Sequence, residues 1–243
     1  MSQIELRNVS FAYEKKNILT DLSFSVEEGE SIGIIGANGV GKSTLLKLPV
    51  GLLMGFDGEI RVDNMPVKKE NLPDIRAKIG YVFQDSDSQL FMSTAYEDIA
   101  FAPRNYGYSE KEVQERVEEA LRLTGTEHLK DKQIYKMSGG EKKLVSIATI
   151  LSMLPEIILM DEPTTALDPR NRRNLIRLLN TFPQTKLIAS HDLDFVLDTC
   201  RRTILIARGK IISQGSTEEI LRDKDLLEQN GLELPLRLQG PSL

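Results

Sequence analysis

Ser31-Ile32-Gly33-Ile34-Ile35, then Gly36-Ala37-Asn38-Gly39-Val40-Gly41-Lys42-Ser43, decides how this chain folds. The first five residues form a short apolar strand that runs straight into the glycine-rich loop. Lys42–Leu48 then reads as a helix, which Pro49 and Gly51 end. The eight loop residues fit G-x-x-x-x-G-K-[ST] at every position and have the flanks that pattern requires, a strand before and a helix after. Glycines let such a backbone curl so that its N–H groups point inward, and the helix N-terminus adds a positive dipole end. Lys42 supplies a charge for β- and γ-phosphates, Ser43 a hydroxyl ligand for Mg²⁺, and Thr44 follows at the helix start. By itself the stretch says only that a nucleoside triphosphate binds.

Working outward, Ile4, Leu6 and Val9 lead into Phe11 and Tyr13, and Leu22, Phe24 and Val26 alternate before the turn at Glu27-Glu28-Gly29-Glu30. Glu59–Val62 begins another strand pair, and Lys78–Phe83 reads as a buried strand. From about Gln89 to Leu151 the texture is helical, with Val113, Val117, Ala120 and Leu121 at helical spacing in Ser109–Thr124. Strands then alternate with helices. Ile157–Met160 and Leu187–Ala189 are strands, and Asn171–Leu179 and Leu193–Thr199 are helices. Thr203–Ala207 and Ile211–Ser213 form a hairpin around Arg208-Gly209-Lys210. The expected fold is an α/β core with an antiparallel β subdomain and an inserted α-helical subdomain. A single domain over 1–243 divides into a nucleotide-binding core (1–87 and 155–225), a helical part (88–154) and a short tail (226–243).

The 243 residues are 40% hydrophobic and 28% charged, ordinary for a soluble domain with a sizeable core. A net charge of -5 argues against nucleic acid as a partner, since phosphate backbones need a basic face. The single Cys200 cannot form an internal disulfide and fits a reducing compartment. The polar, alternating N-terminus is not a signal peptide, and no run approaches the roughly 18 apolar residues of a membrane span. A membrane role would therefore run from the cytosolic side, through partners.

Two further stretches carry chemistry. Ile157–Met160 ends in Asp161-Glu162, and a strand end is where α/β folds place function. Asp161 suits a Mg²⁺ ion and its water shell, and Glu162 suits a general base that polarises water. Met137-Ser138-Gly139-Gly140-Glu141 opens a helix at Lys142–Ser152, with Ser138 as N-cap and the glycine amides as a second anion nest.

Met137–Glu141 resembles the L-S-G-G-Q signature of ABC ATPases, and the other motifs of that family follow in order from Tyr13 to His191. The resemblance implies a P-loop NTPase core that binds ATP with Mg²⁺. In that family Tyr13 would stack on adenine, although strand packing explains it as well. Gln84 would touch Mg²⁺ and the attacking water, Asp168 would belong to the D-loop, and His191 would contact the γ-phosphate. His128, in a polar linker, reads as structural. The family also implies that phosphate loop and signature nest lie on distant parts of one subunit's surface. Two subunits, expected to be identical chains, would then face head to tail and bury each ATP between Lys42 of one and Ser138 of the other.

Gln84–Phe91 and Tyr96–Asn105 further resemble the energy-coupling factor transporters, which join two ATPases to a transmembrane coupling subunit and a substrate-capturing membrane subunit. This implies a peripheral protein on the cytoplasmic face of the cell membrane. Asp85, Asp87, Glu97 and Asp98 are candidate acceptors for basic coupling helices, or simply a solvated face. The short tail resembles cobalt and nickel uptake members; a vitamin importer and a cytosolic ATPase of iron–sulfur assembly are the alternatives. Departures from the family are Ser86 for proline, Ala102 for glycine, Met137 and Glu141 in the signature, and Lys142-Lys143 after it. Glu141 is expected to weaken the closed dimer unless its charge points away.

Overall fold

The computed structural model describes residues 2–239, so residue 1 and residues 240–243 of the expected domain and tail lie outside the described residues. The chain begins with β1 (Ser2–Tyr13), β2 (Lys16–Glu27) and β3 (Ser31–Ile35), then α1 (Lys42–Lys47), β4 (Asp57–Val62), β5 (Met65–Pro66), α2 (Leu72–Lys78) and β6 (Ile79–Val82). Three helices follow, α3 (Ala95–Asn105), α4 (Glu110–Thr124) and α5 (Gly139–Leu151). The last part alternates β7 (Ile157–Asp161), α6 (Pro169–Thr181), β8 (Thr185–Ala189), α7 (Leu193–Thr199), β9 (Arg202–Ala207) and β10 (Lys210–Ser216). Helices α8 (Thr217–Arg222) and α9 (Lys224–Gln229) follow.

One sheet is antiparallel in the order β2-β1-β4-β5, and the other has six strands in the order β10-β9-β3-β8-β7-β6. Only β10 is antiparallel in the larger sheet. Strands β3 and β7 are buried at every residue, covered on both faces, which is why they read as short unbroken runs. Helix α1 lies between the sheets, where Leu45 and Leu46 join a cluster with Leu6, Val26, Leu159 and Ile204. A second cluster packs Val113, Val117 and Ala148 of the helical part with Ile158 and Met160. The fold is thus the α/β core with antiparallel β and inserted helical parts that the sequence implies.

Several elements begin earlier than the hydrophobic pattern shows, each for a local reason. Helix α5 starts at Gly139 because Ser138 and Glu141 close a capping box, with Ser138 N–H donating to Glu141 Oε2 at 2.7 Å. Helix α6 starts at Pro169 because Asp168 Oδ1 accepts from the N–H groups of Arg170 and Asn171. Strand β8 starts at Thr185 because buried Lys186 gives its ammonium to the carbonyls of Phe182 and Gln184. Since β3, β6, β7 and β8 run parallel, the residues after their C-terminal ends share one edge of the sheet.

Candidate functional site

At that edge β3 delivers the loop Gly36–Gly41. Gly36 has φ 152°, and a Cβ there would stand 2.2 Å from the Ile206 carbonyl oxygen. Gly41 has φ 108° and would meet Leu19 at 2.7 Å. Only glycine fits these two positions, which is the physical content of the motif's spacing. Val40 turns away and packs on the core. Lys42 folds back, its ammonium donating to the carbonyls of Gly36 at 2.7 Å and Ala37 at 3.2 Å. Burial pulls its pKa down, while Glu162 and Asp161 pull it up.

Ser43 Oγ donates to Asp161 Oδ1 at 2.9 Å, joining α1 to the end of β7. Burial pushes the Asp161 carboxyl above the usual range, with the Ser43 bond opposing it. Glu162, one residue on, is a non-glycine residue at φ 47° and is 5% exposed. Such backbone strain concentrates at functional positions. The Glu162 N–H donates to the Ala189 carbonyl at 2.9 Å, which ties it to the end of β8. Its Oε2 lies 2.7 Å from His191 Nδ1 and accepts from His191 N–H at 3.2 Å and Ser190 Oγ at 3.3 Å.

A crevice of about 470 Å³ is lined by Tyr13, Asn38, Gly39, Gly41 and Lys42, with Ser43, Thr44, Gln84, Glu162 and His191. Tyr13 stands at its mouth, 44% exposed, with its ring edge-on to Phe11 at 5.0 Å. Asp161 faces an adjoining crevice that shares Ser43 and Gln84 with the first. Gly139 also borders this second crevice. Ser138 and Gly140 line neither, and Asp168 lies outside both as the cap of α6.

The structure corrects two readings of charge. Glu141 is paired where it stands, its carboxylate accepting from Ser138 N–H at 2.7 Å and from Lys132 Nζ at 2.8 Å through both oxygens. The Lys132 bond holds its carboxyl below the usual range, so the signature carries no unpaired negative charge. Asp98 is no docking acid: it is 5% exposed and its oxygens accept from the N–H groups of Phe91 and Met92. Two participants were not singled out beforehand. Ser190 holds Glu162, and its only signal is its place before His191. Lys143 donates to the carbonyls of Phe83 and Gln84, and in sequence it stands out only as a departure from the signature.

A phosphate loop, a hydroxyl–carboxylate pair and a strained glutamate on a histidine define a nucleoside-triphosphatase site. Residues 19–165 match the ABC transporter family, and the chain belongs to that family as an ATP-binding, ATP-hydrolysing protein. Among its relatives, the energy-coupling factor transporter ATP-binding protein EcfA of Methanothermobacter thermautotrophicus is 42% identical over 238 residues, 96% of this chain and 76% of that protein. The solved structure of cbiO1 from Clostridium perfringens, part of the ABC transporter complex cbiONQ, superposes with TM-score 0.82 at 35% identity, covering 94% of each chain. A dimeric post-hydrolysis structure of the ATP-binding cassette MJ0796 with ADP and Pi superposes with TM-score 0.80 at 28% identity, covering 88% of this chain and 98% of that one.

Proposed function

We propose that this chain powers an energy-coupling factor importer as one of two identical ATPase subunits arranged head to tail. The carrying observation is the composition of the crevice. It gathers the phosphate loop, Gln84, Glu162 and His191 but neither Ser138 nor Gly140, so one chain supplies only part of a closed phosphate site. A partner's Ser138-Gly139-Gly140 completes it. The dimeric cassette with ADP and Pi supports this arrangement.

Within the site, Tyr13 stacks on adenine, and Asn38, Gly39 and Gly41 offer backbone N–H groups to the phosphates. Lys42 exchanges the carbonyls of Gly36 and Ala37 for β- and γ-phosphate oxygens. The hydroxyl of Ser43, carboxylate of Asp161 and amide oxygen of Gln84 are hard oxygen donors that fit Mg²⁺, which when bound neutralises charge on the phosphates. Glu162 takes a proton from a water as that water's oxygen bonds to the γ-phosphorus. The bond to the bridging oxygen breaks, releasing ADP and phosphate. His191, bonded to Glu162 through Nδ1, keeps its other nitrogen for a phosphate oxygen. Asp168 shapes the D-loop from the start of α6.

Beside the Gln84 loop lies an apolar groove of about 280 Å³ that includes Phe91, Phe101, Tyr106, Ile150 and Met153. Phe91 is 65% exposed and packs edge-on against Phe101 at 4.8 Å. Exposed aromatic surface of this kind fits a transmembrane coupling subunit, to which a substrate-capturing membrane subunit would attach. No helix among the described residues is long and apolar enough to cross a membrane, consistent with a peripheral place at the cytoplasmic face. The likeness to cbiO1, part of the ABC transporter complex cbiONQ, supports cobalt or nickel as the proposed cargo over a vitamin. A cytosolic iron–sulfur role leaves the groove unused. The test is co-expression with membrane subunits from neighbouring genes, then ATP-driven uptake of cobalt, nickel and vitamins into vesicles. Uptake of a metal ion supports the reading; a chain that never binds those subunits sinks it.

A further inference from the structure

Lys143 is among the largest fully buried side chains of the described residues, at 1% exposure, and it borders the second crevice rather than the phosphate crevice. Its ammonium donates to the carbonyls of Phe83 at 2.9 Å and Gln84 at 2.7 Å, and no carboxylate among the described residues pairs with it. Burying an ammonium is costly, and an apolar side chain of similar length would fill the same space. Packing alone therefore does not ask for a lysine here. What the lysine supplies is a directed link from helix α5 to the backbone of Gln84.

The link is reinforced on both sides. Lys142 pairs with Asp87. Gln89 accepts from Phe83 N–H at 3.1 Å and donates to the Ser146 carbonyl at 2.6 Å. Residues 83–89 thus ride on α5. The same helix starts at Gly139, four residues before Lys143 and about 6 Å along its axis at the α-helical rise. That distance is one helical turn, too short to bend.

We propose that Lys143 is a positioning residue that couples the two ATP sites of the dimer. It transmits the seating of the partner's terminal phosphate on Ser138–Gly140 to Gln84 of the chain's own site. The proposal rests on the head-to-tail reading above. A helix held at its N-terminus by a phosphate shifts as a unit, and the ammonium carries the Gln84 carbonyl with it.

Amide hydrogen exchange on the full chain separates the two ideas. With Glu162→Gln as parent, Mg-ATP is expected to slow exchange both at 138–142 and at 83–89. Adding Lys143→Met is expected to keep protection at 138–142 and lose it at 83–89. Equal protection of 83–89 in both chains overturns the coupling while leaving the shared site standing. No protection at 138–142 in the parent overturns the shared site and the coupling with it. In the otherwise native chain, Lys143→Met should lower kcat at least about tenfold with KM for ATP changed less than about twofold. Unchanged turnover by folded protein with a normal melting curve also overturns the proposal.

Discussion

Replacing Glu162 by glutamine removes the proposed proton acceptor while changing almost nothing else. All three donors to this side chain, His191 Nδ1, His191 N–H and Ser190 Oγ, converge on Oε2 at 2.7 to 3.3 Å. A glutamine placed with its amide oxygen at that corner keeps all three bonds, and its NH₂ takes the other corner. The fold should therefore lose no more than about 1 kcal/mol, the net worth of one such bond. ATP binding, which runs through Lys42, Ser43 and the loop amides, should hold. Turnover should not, because an amide cannot take a proton from water. General-base catalysis contributes about 10² to 10⁴ in rate, or about 3 to 5 kcal/mol of barrier at 1.36 kcal/mol per decade. Phosphate release at saturating Mg-ATP gives the rate, and size-exclusion chromatography with ATP shows whether an ATP-bound dimer accumulates. A Glu162→Gln chain within about threefold of native turnover would refute the base assignment.

Three other perturbations have distinct outcomes. Gly36→Ala drives a Cβ to 2.2 Å from the Ile206 carbonyl, so both stability and ATP affinity should fall, read as a lower melting point with a smaller ATP-induced rise. Arg237 Nε bonds Asp194 at 3.0 Å and Nη2 reaches Asp198 at 2.6 Å, pinning the tail to α7 beside His191. The pair is half-exposed, so Arg237→Ala should cost about 1 kcal/mol or less, a fall in Tm of about 2 to 4 °C for a chain of this size. Burial pulls the Lys143 ammonium down to about 8 from the ordinary 10.5. Between those values the folded chain binds fewer protons than the unfolded one. This group's contribution to stability therefore rises as pH climbs from about 8 to about 10.5, and its cost is full below that window. Lys143→Met should flatten that rise in denaturant-melt series across pH.

Most of the candidate site could be read from sequence because its pieces are local. The loop Gly36–Ser43, the strand ending in Asp161-Glu162 and the His191 position each declare themselves within a few residues. Parallel pairing of β3, β7 and β8 then places them together. What escaped was carried by contacts between distant segments. Nothing near Lys143 announces that it bonds Gln84, 59 residues earlier. Asp98 looks like any surface acid until the loop at Phe91 folds onto it. Glu141 looked like an unwanted charge because its partner, Lys132, lies nine residues back across a turn. The helix start at Pro169 was missed because its cap, Asp168, and not apolar spacing sets it.

The central claim is that each ATP is hydrolysed between the phosphate loop of one chain and the signature nest of another. Mixing two inactive chains tests it directly. Lys42→Ala destroys the loop in both sites of its own dimer, and Ser138→Arg blocks both nests of its own. A mixed dimer keeps one intact site, built from the loop of the second chain and the nest of the first. With random pairing, half the dimers are mixed and each has one of two sites, so activity should return to at most about a quarter of native, and to less where the blocked nest of the second chain no longer seats its Gln84. Mixtures that stay as inactive as either variant alone, or a Ser138→Arg chain that hydrolyses ATP normally, would contradict the shared site.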